Sequence, residues 1–332
     1  MTIGFAILGC GRIGRMHADI VAANPHAKVV WTYDVHTASA ESVAHKHGAK
    51  AASTVDEALG DPEVRAVLIA SSTDTHVDLL TRAVKAGKAV LCEKPIDLDI
   101  ARVDACWAEI GPLRPVIQLG FNRRFDPSFR AVRQGIKAGE IGKVELVVIT
   151  SRDPGPPPAA YIQVSGGLFR DMMIHDFDLA RFLLGEEITH VSAMASNLVD
   201  PEIGRLGDID TAMVTLKARS GALVHINNSR RAVYGYDQRI EAFGEKGMLR
   251  CDNKRATTIL RYGSETTAAR DPLLNFFIER YADAYRLEID AFIDCVLNGS
   301  IPSVGFADGR QALVLANAAY ESLRTGRTVE VA

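Results

Sequence analysis

The sequence lacks the features that mark membrane, secreted and nucleic-acid-binding proteins. No run of about 18 apolar residues occurs in its 332 positions, and no basic region followed by an apolar stretch precedes the first strand pattern. Its five cysteines are odd in number, widely spaced and without a Cys-x-x-Cys pair, which disfavours a disulfide framework or a zinc knuckle. A formal net charge of −3 provides no broad positive field for nucleic acid or anionic lipid. We therefore expect a cytoplasmic protein with reduced thiols that acts on a small molecule.

The composition is that of a globular protein with a substantial core. Hydrophobic residues make up 47% of the chain and charged residues 24%, which is typical of folded domains. A chain of 332 residues is too long for one ordinary core and fits two domains. The first would span 1–120 and the second 121–332.

Residues 1–120 alternate short β-rich apolar runs with stretches of helical length and composition. Such alternation predicts a doubly wound, parallel sheet of the Rossmann type in an α/β domain. The predicted strands are Ile3–Leu8, Val29–Tyr33, Ala66–Ala70, Ala89–Cys92 and Val116–Leu119, and the predicted helices are Arg15–Asn24, Ala38–His47, Val77–Ala86 and Asp99–Ile110.

Residues 121–332 have a different sequence pattern, in which strand-like runs follow one another and are separated by short turns. This pattern predicts an α/β domain with a large, open, mainly antiparallel sheet. The predicted strands are Val144–Thr150, His190–Asn197, Thr211–Ala218, Ala222–Asn227, Arg239–Phe243, Met248–Cys251 and Thr257–Arg261, and the predicted helices are Gly167–Leu184, Ile278–Leu297 and Asp308–Thr325. Whether the last helix, about 308–325, packs back on the first domain is left open. An open sheet of this size needs a cover on its second face, and a neighbouring subunit would supply one.

A glycine loop between the first strand and the first helix predicts a dinucleotide site. Gly9, Gly11 and Gly14 have the spacing that permits a tight turn, close approach of the backbone to a pyrophosphate, and close packing of helix on strand. Arg12 and Ile13 lie within the same loop. Asp34 ends the second strand, where a carboxylate accepts hydrogen bonds from the ribose hydroxyls and favours NAD over NADP.

Two further loops are expected at the carboxyl edge of the sheet, beside the cofactor. Ser71, Ser72, Thr73 and His76 follow the third predicted strand. The alternative for this loop is a purely structural role, in which Thr75 or Asp74 caps the helix and His76 faces solvent.

The second loop is Glu93-Lys94-Pro95, which follows the fourth predicted strand. There Glu93 is expected beside the cofactor and the Lys94 ammonium near the reacting carbon, although a lysine in this position is often only a solvated charge. The Lys94-Pro95 bond is a candidate for the cis isomer.

The most informative segment is the predicted helix that contains Asp171 and His175. Four residues apart, they would share one helix face, where the imidazole accepts the proton of a substrate alcohol and the carboxylate orients it. Lys94 would stabilise the negative charge on the reacting oxygen. The alternatives are a histidine that only packs the helix, and a metal site that also uses Asp176 and Asp178. We expect no metal, because those two aspartates project away from the shared face and no further histidine or cysteine lies nearby.

Several segments together resemble the glucose-fructose oxidoreductase superfamily, and within it the bacterial inositol 2-dehydrogenases. They are GCGRIG, CEKP, GFNRRFDPSF, GGLFRDMMIHDFDLARFLLG and NNSRRAVYGYDQR. The resemblance covers nearly the whole chain. It implies a Rossmann domain followed by an α/β domain with an open sheet, a homotetramer, and oxidation of the axial hydroxyl of myo-inositol to the 2-keto product with NAD+.

The resemblance also assigns residues. It implies that Lys94, Asp171 and His175 are catalytic, and it adds Arg123, Asp153 and Tyr236 as contacts of a cyclic polyol. A polyol needs several convergent donors and acceptors, which these side chains supply, although each could instead be structural.

Two alternatives remain at this point. The same chemistry on scyllo-inositol, chiro-inositol or an aldopyranose would differ only in the shape of the pocket. A cofactor-binding sensor that kept the fold and lost the reaction is opposed by the joint presence of a base, an orienting acid and a lysine.

Overall fold

The computed structural model describes residues 2–331 and divides into two compact units. The first comprises the chain up to Phe125 together with 283–313, and the second comprises 126–282 together with the chain from 314 onward. No helix within 2–331 is both long enough and apolar enough to cross a membrane.

The first unit is built on a six-stranded parallel sheet. Its strands are β1 (Ile3–Leu8), β2 (Ala27–Tyr33), β3 (Lys50–Ala51), β4 (Val64–Ile69), β5 (Ala89–Cys92) and β6 (Ile117–Leu119), in the order β3-β2-β1-β4-β5-β6. The helices are α1 (Arg12–Ala23), α2 (Thr37–His47), α3 (Val55–Gly60), α4 (His76–Lys85) and α5 (Ile100–Ile110). The predicted Rossmann class is confirmed. The sequence analysis missed β3, which has only two residues and no periodicity to detect.

The second unit contains a seven-stranded mixed sheet. Its strands are β7 (Val144–Arg152), β8 (Ile188–Ser196), β9 (Thr211–Ala218), β10 (Leu223–Ser229), β11 (Asp237–Gly244), β12 (Gly247–Cys251) and β15 (Val329–Glu330), in the order β12-β11-β7-β10-β9-β8-β15. The pair β7–β10 is parallel and the other neighbouring pairs are antiparallel, so the mainly antiparallel class is confirmed. The two remaining strands, β13 (Leu260–Arg261) and β14 (Ala269–Arg270), form a separate ribbon.

The helices of the second unit are mostly short. They are α6 (Pro127–Lys137), α7 (Ala159–Ile162), α8 (Gly167–Asp171), α9 (Ile174–Leu184), α10 (Pro201–Arg205) and α11 (Phe277–Arg280); α12 (Ala282–Asn298) and α13 (Phe306–Thr325) complete the chain. The division between the two units falls at the start of α12 and again within α13, after Leu313.

Three predicted elements differ in the structure. The strand predicted at Thr257–Arg261 does not join the large sheet, because the side chains of Thr257 and Arg261 bond the carboxylate of Asp271 and close the β13–β14 ribbon. The single helix predicted at Ile278–Leu297 is interrupted at Tyr281, whose backbone leaves helical geometry. The helix predicted at Gly167–Leu184 is also interrupted.

The domain division differs as well, since the first unit includes part of the chain predicted to belong to the second. Ile289, Phe292 and Ile293 of α12 lie in one buried apolar cluster with β1, and the Phe292 ring meets Phe5 edge-on at 6.0 Å. Both faces of a parallel sheet need an apolar cover, and α12 supplies part of it.

Candidate active site

The glycine loop after β1 forms a cradle whose open side is at Gly11. Gly9 has φ +98°, and a Cβ there would lie 2.5 Å from the carbonyl carbon of Ala70. A Cβ on Gly14 would lie 1.8 Å from the carbonyl oxygen of Gly9, so these two glycines allow close packing. A Cβ on Gly11 would meet nothing within 4 Å. The N-cap residue Gly11 makes no side-chain hydrogen bond to α1, which starts at Arg12, and the N-terminus of a helix attracts an anion.

Asp34 lies directly beside this cradle at the end of β2. Its Oδ2 accepts a hydrogen bond from the Cys10 N–H at 2.7 Å, and its Oδ1 accepts one from the His36 N–H at 2.8 Å. Each carboxylate oxygen has a second lone pair, so the fixed group can still accept from ribose hydroxyls. The cradle and the carboxylate therefore fit a dinucleotide.

The loop after β4 is arranged around His76. Its ring is 1% exposed, with Nδ1 at 2.8 Å from the Pro95 carbonyl oxygen and Nε2 at 3.1 Å from the Ser71 carbonyl oxygen. His76 thus joins the β4 and β5 loops rather than facing solvent. The Thr75 hydroxyl bonds the Ser72 carbonyl, and α4 has no side-chain cap. Ser72 is exposed and Thr73 half-buried, and a cofactor contact there stays a prediction.

The β5 loop presents a charged pair at the same carboxyl edge. Lys94 is half-buried, and the Lys94-Pro95 bond is cis. A hydrogen bond of 2.8 Å joins Glu93 Oε1 to His17 Nε2. Burial opposes ionisation of Glu93, but this bond and the nearby positive charges lower its pKa. An anionic Glu93 therefore stands next to the ammonium of Lys94.

Sequence reasoning missed two buried titratable groups behind that loop, His17 and Glu288, both 0% exposed. Burial, together with the charge of Glu93, raises the pKa of the Glu288 carboxyl well above its ordinary value. Glu288 occupies the buried stripe of α12 between Tyr285 and Ile289. A carboxylate within an apolar helical stripe was the available signal.

The single helix predicted to contain Asp171 and His175 is interrupted between them. Asp171 ends α8, and His175 lies in the first turn of α9. The Met173 N–H reaches back five residues to the Leu168 carbonyl at 2.9 Å, so the helix widens by one residue at the junction. The extra residue lets both Met172 and Met173 be buried. The two predicted residues therefore flank a helix break, a feature frequent at functional sites.

Asp171 is held by two residues that the sequence reasoning did not single out. The Tyr161 hydroxyl donates to Asp171 Oδ1 at 2.9 Å, and Arg230 Nη1 lies 3.6 Å from Asp171 Oδ2. On the other side of His175, the Asn228 amide donates to Asp176 Oδ2 at 3.0 Å. Both Asp171 and His175 remain half-buried, and so accessible to a ligand.

The predicted substrate contacts are distributed over both units. Arg123 lies in a buried 3-10 turn of the first unit. Asp153 is half-buried in the second unit, where its backbone bonds Ser229 and Ala232. Tyr236 is 7% exposed, and its ring packs edge-on against Tyr281 at 6.0 Å. A substrate role for these residues stays a prediction.

Comparison with known proteins covers the whole chain. Residues 3–114 match the model of an oxidoreductase family with an NAD-binding Rossmann fold, and 129–250 match the GFO/IDH/MocA C-terminal domain. An inositol 2-dehydrogenase of Rhizobium meliloti is 48% identical, with 100% of each chain covered.

Solved structures agree with this match. A myo-inositol dehydrogenase from Corynebacterium glutamicum has a TM-score of 0.97 at 48% identity, covering 100% of this chain and 99% of that one. A scyllo-inositol dehydrogenase from Lactobacillus casei, solved with NAD(H) and scyllo-inositol, has a TM-score of 0.91 at 31% identity, covering 99% of both chains. The chain is a member of the GFO/IDH/MocA family of NAD-binding oxidoreductases.

Proposed function

We propose that the protein oxidises the axial secondary alcohol of myo-inositol to 2-keto-myo-inositol with NAD+. The observation that carries the proposal is the 48% identity over the full length of an inositol 2-dehydrogenase, in a chain that contains Lys94, Asp171 and His175. Scyllo-inositol is the second candidate substrate, favoured by the likeness to the scyllo-inositol dehydrogenase.

The cofactor would be held by the first unit. The backbone around Gly11 and the N-terminal turn of α1 suit the pyrophosphate, and Asp34 suits the adenosine ribose. The other proposed contacts are Gly9, Arg12, Ile13, Gly14, Ser71, Ser72, Thr73, His76, Glu93 and Lys94. When bound, NAD+ accepts the hydride that leaves the substrate carbon.

The proton would be handled by three side chains. His175, as a neutral imidazole, accepts the hydroxyl proton. This step is needed because a carbon releases hydride readily only when the oxygen that it bears has alkoxide character. Asp171 orients the imidazole and offsets the charge that it gains. Lys94 donates a hydrogen bond to the substrate oxygen and stabilises its negative charge. Half-burial of all three side chains is compatible with these roles.

The substrate would be bound mainly by polar side chains with converging donors and acceptors. We propose Arg123, Asp153 and Tyr236 as contacts in addition to the catalytic residues. Guanidinium, carboxylate and phenol groups can together distinguish the orientation of neighbouring hydroxyls on a cyclic polyol.

We further propose a homotetramer, assembled through the outer face of the large sheet. Large apolar side chains are exposed there on adjacent strands: Leu146, Leu223 and Phe243 are cross-strand neighbours, as are Met194 and Met213. Soluble monomers rarely expose several large apolar side chains on one sheet in this way. A cytoplasmic location also stays a prediction, which the free thiols of all five cysteines suit.

The test is NADH formation, followed by absorbance, over a panel of inositols and aldoses. Wild-type protein should turn over myo-inositol, and His175→Ala should lower kcat about 10²- to 10⁴-fold. Exposed Arg231→Gln serves as a folded control. Full activity of His175→Ala would contradict the mechanism, and no activity on any polyol would favour a sensor that only binds NAD.

A further inference from the structure

Arg230 is a charged side chain buried in the second unit, directly after β10. It is 1% exposed, and its backbone N–H donates to the Asp210 carbonyl at 2.9 Å. A buried guanidinium is costly unless negative groups lie close to it. The identity of those groups therefore indicates what the residue does.

Two aspartates flank the guanidinium. Nη1 lies 3.6 Å from Asp171 Oδ2, and Nη2 lies 3.5 Å from Asp208 Oδ2. Asp208 is itself 7% exposed, and its Oδ1 accepts the Leu168 N–H at 2.9 Å. Asp208 thus binds the beginning of α8 and Asp171 ends it, so Arg230 spans both ends of this helix.

Asp208 packs closely against the backbone at Gly167, the first residue of α8. A Cβ on Gly167 would lie 2.6 Å from Asp208 Oδ1 and 2.1 Å from the Tyr320 hydroxyl oxygen, and Gly167 has φ +81°. Tyr320 donates to the Gly166 carbonyl at 3.2 Å. Gly167 is therefore needed for the close approach of Asp208 and Tyr320 to the start of α8.

The interactions of the Arg230 guanidinium with the two aspartates are ion pairs rather than hydrogen bonds. Its Nε and Nη2, and Oδ2 of Asp208, are buried without a hydrogen-bond partner among residues 2–331. Two carboxylates and one guanidinium leave one net negative charge in the cluster. At these separations the guanidinium attracts both carboxylates.

The end of β10 also contacts Asp176, the residue that follows His175. Asn228, two residues before Arg230, is 2% exposed and donates to Asp176, which is 0% exposed. The strand end therefore contacts Asp171, four residues before the histidine, and Asp176, one residue after it.

We propose that Arg230 and Asp208 are positioning residues for Asp171 and His175. Arg230 holds the Asp171 carboxylate in place and lowers the proton affinity of His175, whereas the negative charge of Asp208 offsets part of that effect. This inference rests on the proposed function, in which His175 is the base. Tyr161 on α7 and Tyr320 on α13 contact the two aspartates. Arg170 on α8 lies over the Tyr320 ring, and Asp176 on α9 is bonded to Asn228. None of these four residues is replaced in the variants described below.

Opposite charge changes test the proposal. Arg230→Gln removes a positive charge, so the acid limb of kcat/KM against pH should move to higher pH, by about 0.5 to 1 unit, because His175 then holds its proton more tightly. Asp208→Asn removes a negative charge but keeps an oxygen acceptor for Leu168, and should move the limb the opposite way. Arg230→Lys retains the charge and should leave the limb near its wild-type position.

The values of kcat, KM and the Kd for NADH distinguish a positioning role from a general loss of folded structure. In Arg230→Gln we expect kcat to fall about 10- to 100-fold, with KM for myo-inositol and the Kd for NADH each changed by less than about threefold. The neighbouring Arg231→Gln should match wild type, because that side chain is exposed and bonds the Leu198 and Val199 carbonyls. If Arg230→Gln does not fold, the sign of the Asp208→Asn shift still decides.

The outcomes are distinct. Limbs that move in the same direction, or not at all, in Arg230→Gln and Asp208→Asn would overturn the inference while wild-type activity still supports the proposed function. Wild type without inositol activity, or a fully active His175→Ala, would contradict the proposed function and this inference with it.

Discussion

Replacing Gly11 and Gly14 one at a time by alanine should separate cofactor binding from folding. The two glycines are three residues apart in the same loop, yet the space around them differs. A methyl group on Gly14 would lie 1.8 Å from the Gly9 carbonyl oxygen, whereas one on Gly11 would meet nothing within 4 Å. The protein thus needs Gly14 for its own packing, and we propose that it needs Gly11 only for the ligand.

The expected magnitudes follow from that difference. Gly14→Ala forces a backbone shift and should lower the free energy of unfolding by about 3 kcal/mol or more, which corresponds to a Tm lower by about 6 °C. Gly11 has φ −72° and ψ −163°, a conformation that alanine also adopts. Gly11→Ala should therefore cost only about 0.5 to 1 kcal/mol as a helix N-cap. It should nevertheless weaken NADH binding at least about tenfold, because the methyl group occupies the space that the pyrophosphate requires.

Differential scanning fluorimetry and titration of NADH fluorescence measure the two effects. Gly60→Ala on α3 is a matched control, since a Cβ there also meets nothing within 4 Å and the residue is far from the loop in sequence. A Gly11→Ala protein that binds NADH with the wild-type Kd would refute the assignment of the cradle. A Gly14→Ala protein with the wild-type Tm would refute the packing argument.

Three further predictions concern the cofactor preference, the buried carboxyl and the sheet face. Asp34→Ser should narrow the ratio of kcat/KM for NAD+ over NADP+ by roughly tenfold, since the ribose hydroxyls lose their acceptor; equal use of both cofactors by wild type would oppose this. Burial and the charge of Glu93 raise the pKa of Glu288 in the folded protein. The protonated carboxyl group therefore contributes to the free energy of unfolding below the unfolded pKa of about 4.3, and this contribution is lost as pH rises through the folded pKa. Urea titrations between pH 5 and 8 should therefore show stability falling less in Glu288→Gln than in wild type, by up to about 1.4 kcal/mol per pH unit, and parallel curves would contradict this. Phe243→Asp should lower the molar mass measured by light scattering, whereas Glu41→Lys on α2 should not; an unchanged mass would argue against the sheet face as the interface.

The sequence predicted most of the first unit because its signals are local. Each parallel strand is an apolar run between a helix and a loop, and the glycine loop after Leu8 carries its own spacing signature. Element bounds shifted by only a few residues; for example, α1 starts at Arg12 rather than at the predicted Arg15. The short β3 and the return of α12 to the first unit depend on tertiary packing, which periodicity does not reveal.

The candidate site was harder to predict because its geometry departs from ideal periodicity. A spacing of four residues implies one helix face only if the helix is continuous, and the five-residue hydrogen bond from Met173 breaks that continuity. Arg230 and Asp208 are distant from Asp171 in the chain, and Tyr161 lies ten residues before it in a separate helix, so no helical or strand periodicity associates them with Asp171. His76 illustrates the reverse case, since its buried contacts with two loops could not be distinguished from solvent exposure by sequence.

In the proposed reaction, hydride leaves the carbon that bears the axial hydroxyl of myo-inositol and reaches NAD+. The most direct test uses myo-inositol deuterated at that carbon, with mass spectrometry of the NADH and the ketone formed. One deuterium in each NADH and a ketone at that carbon is the predicted result, with the rate of formation falling about 10²-fold or more in His175→Ala. NADH without deuterium, or a ketone at another ring carbon, would contradict the account.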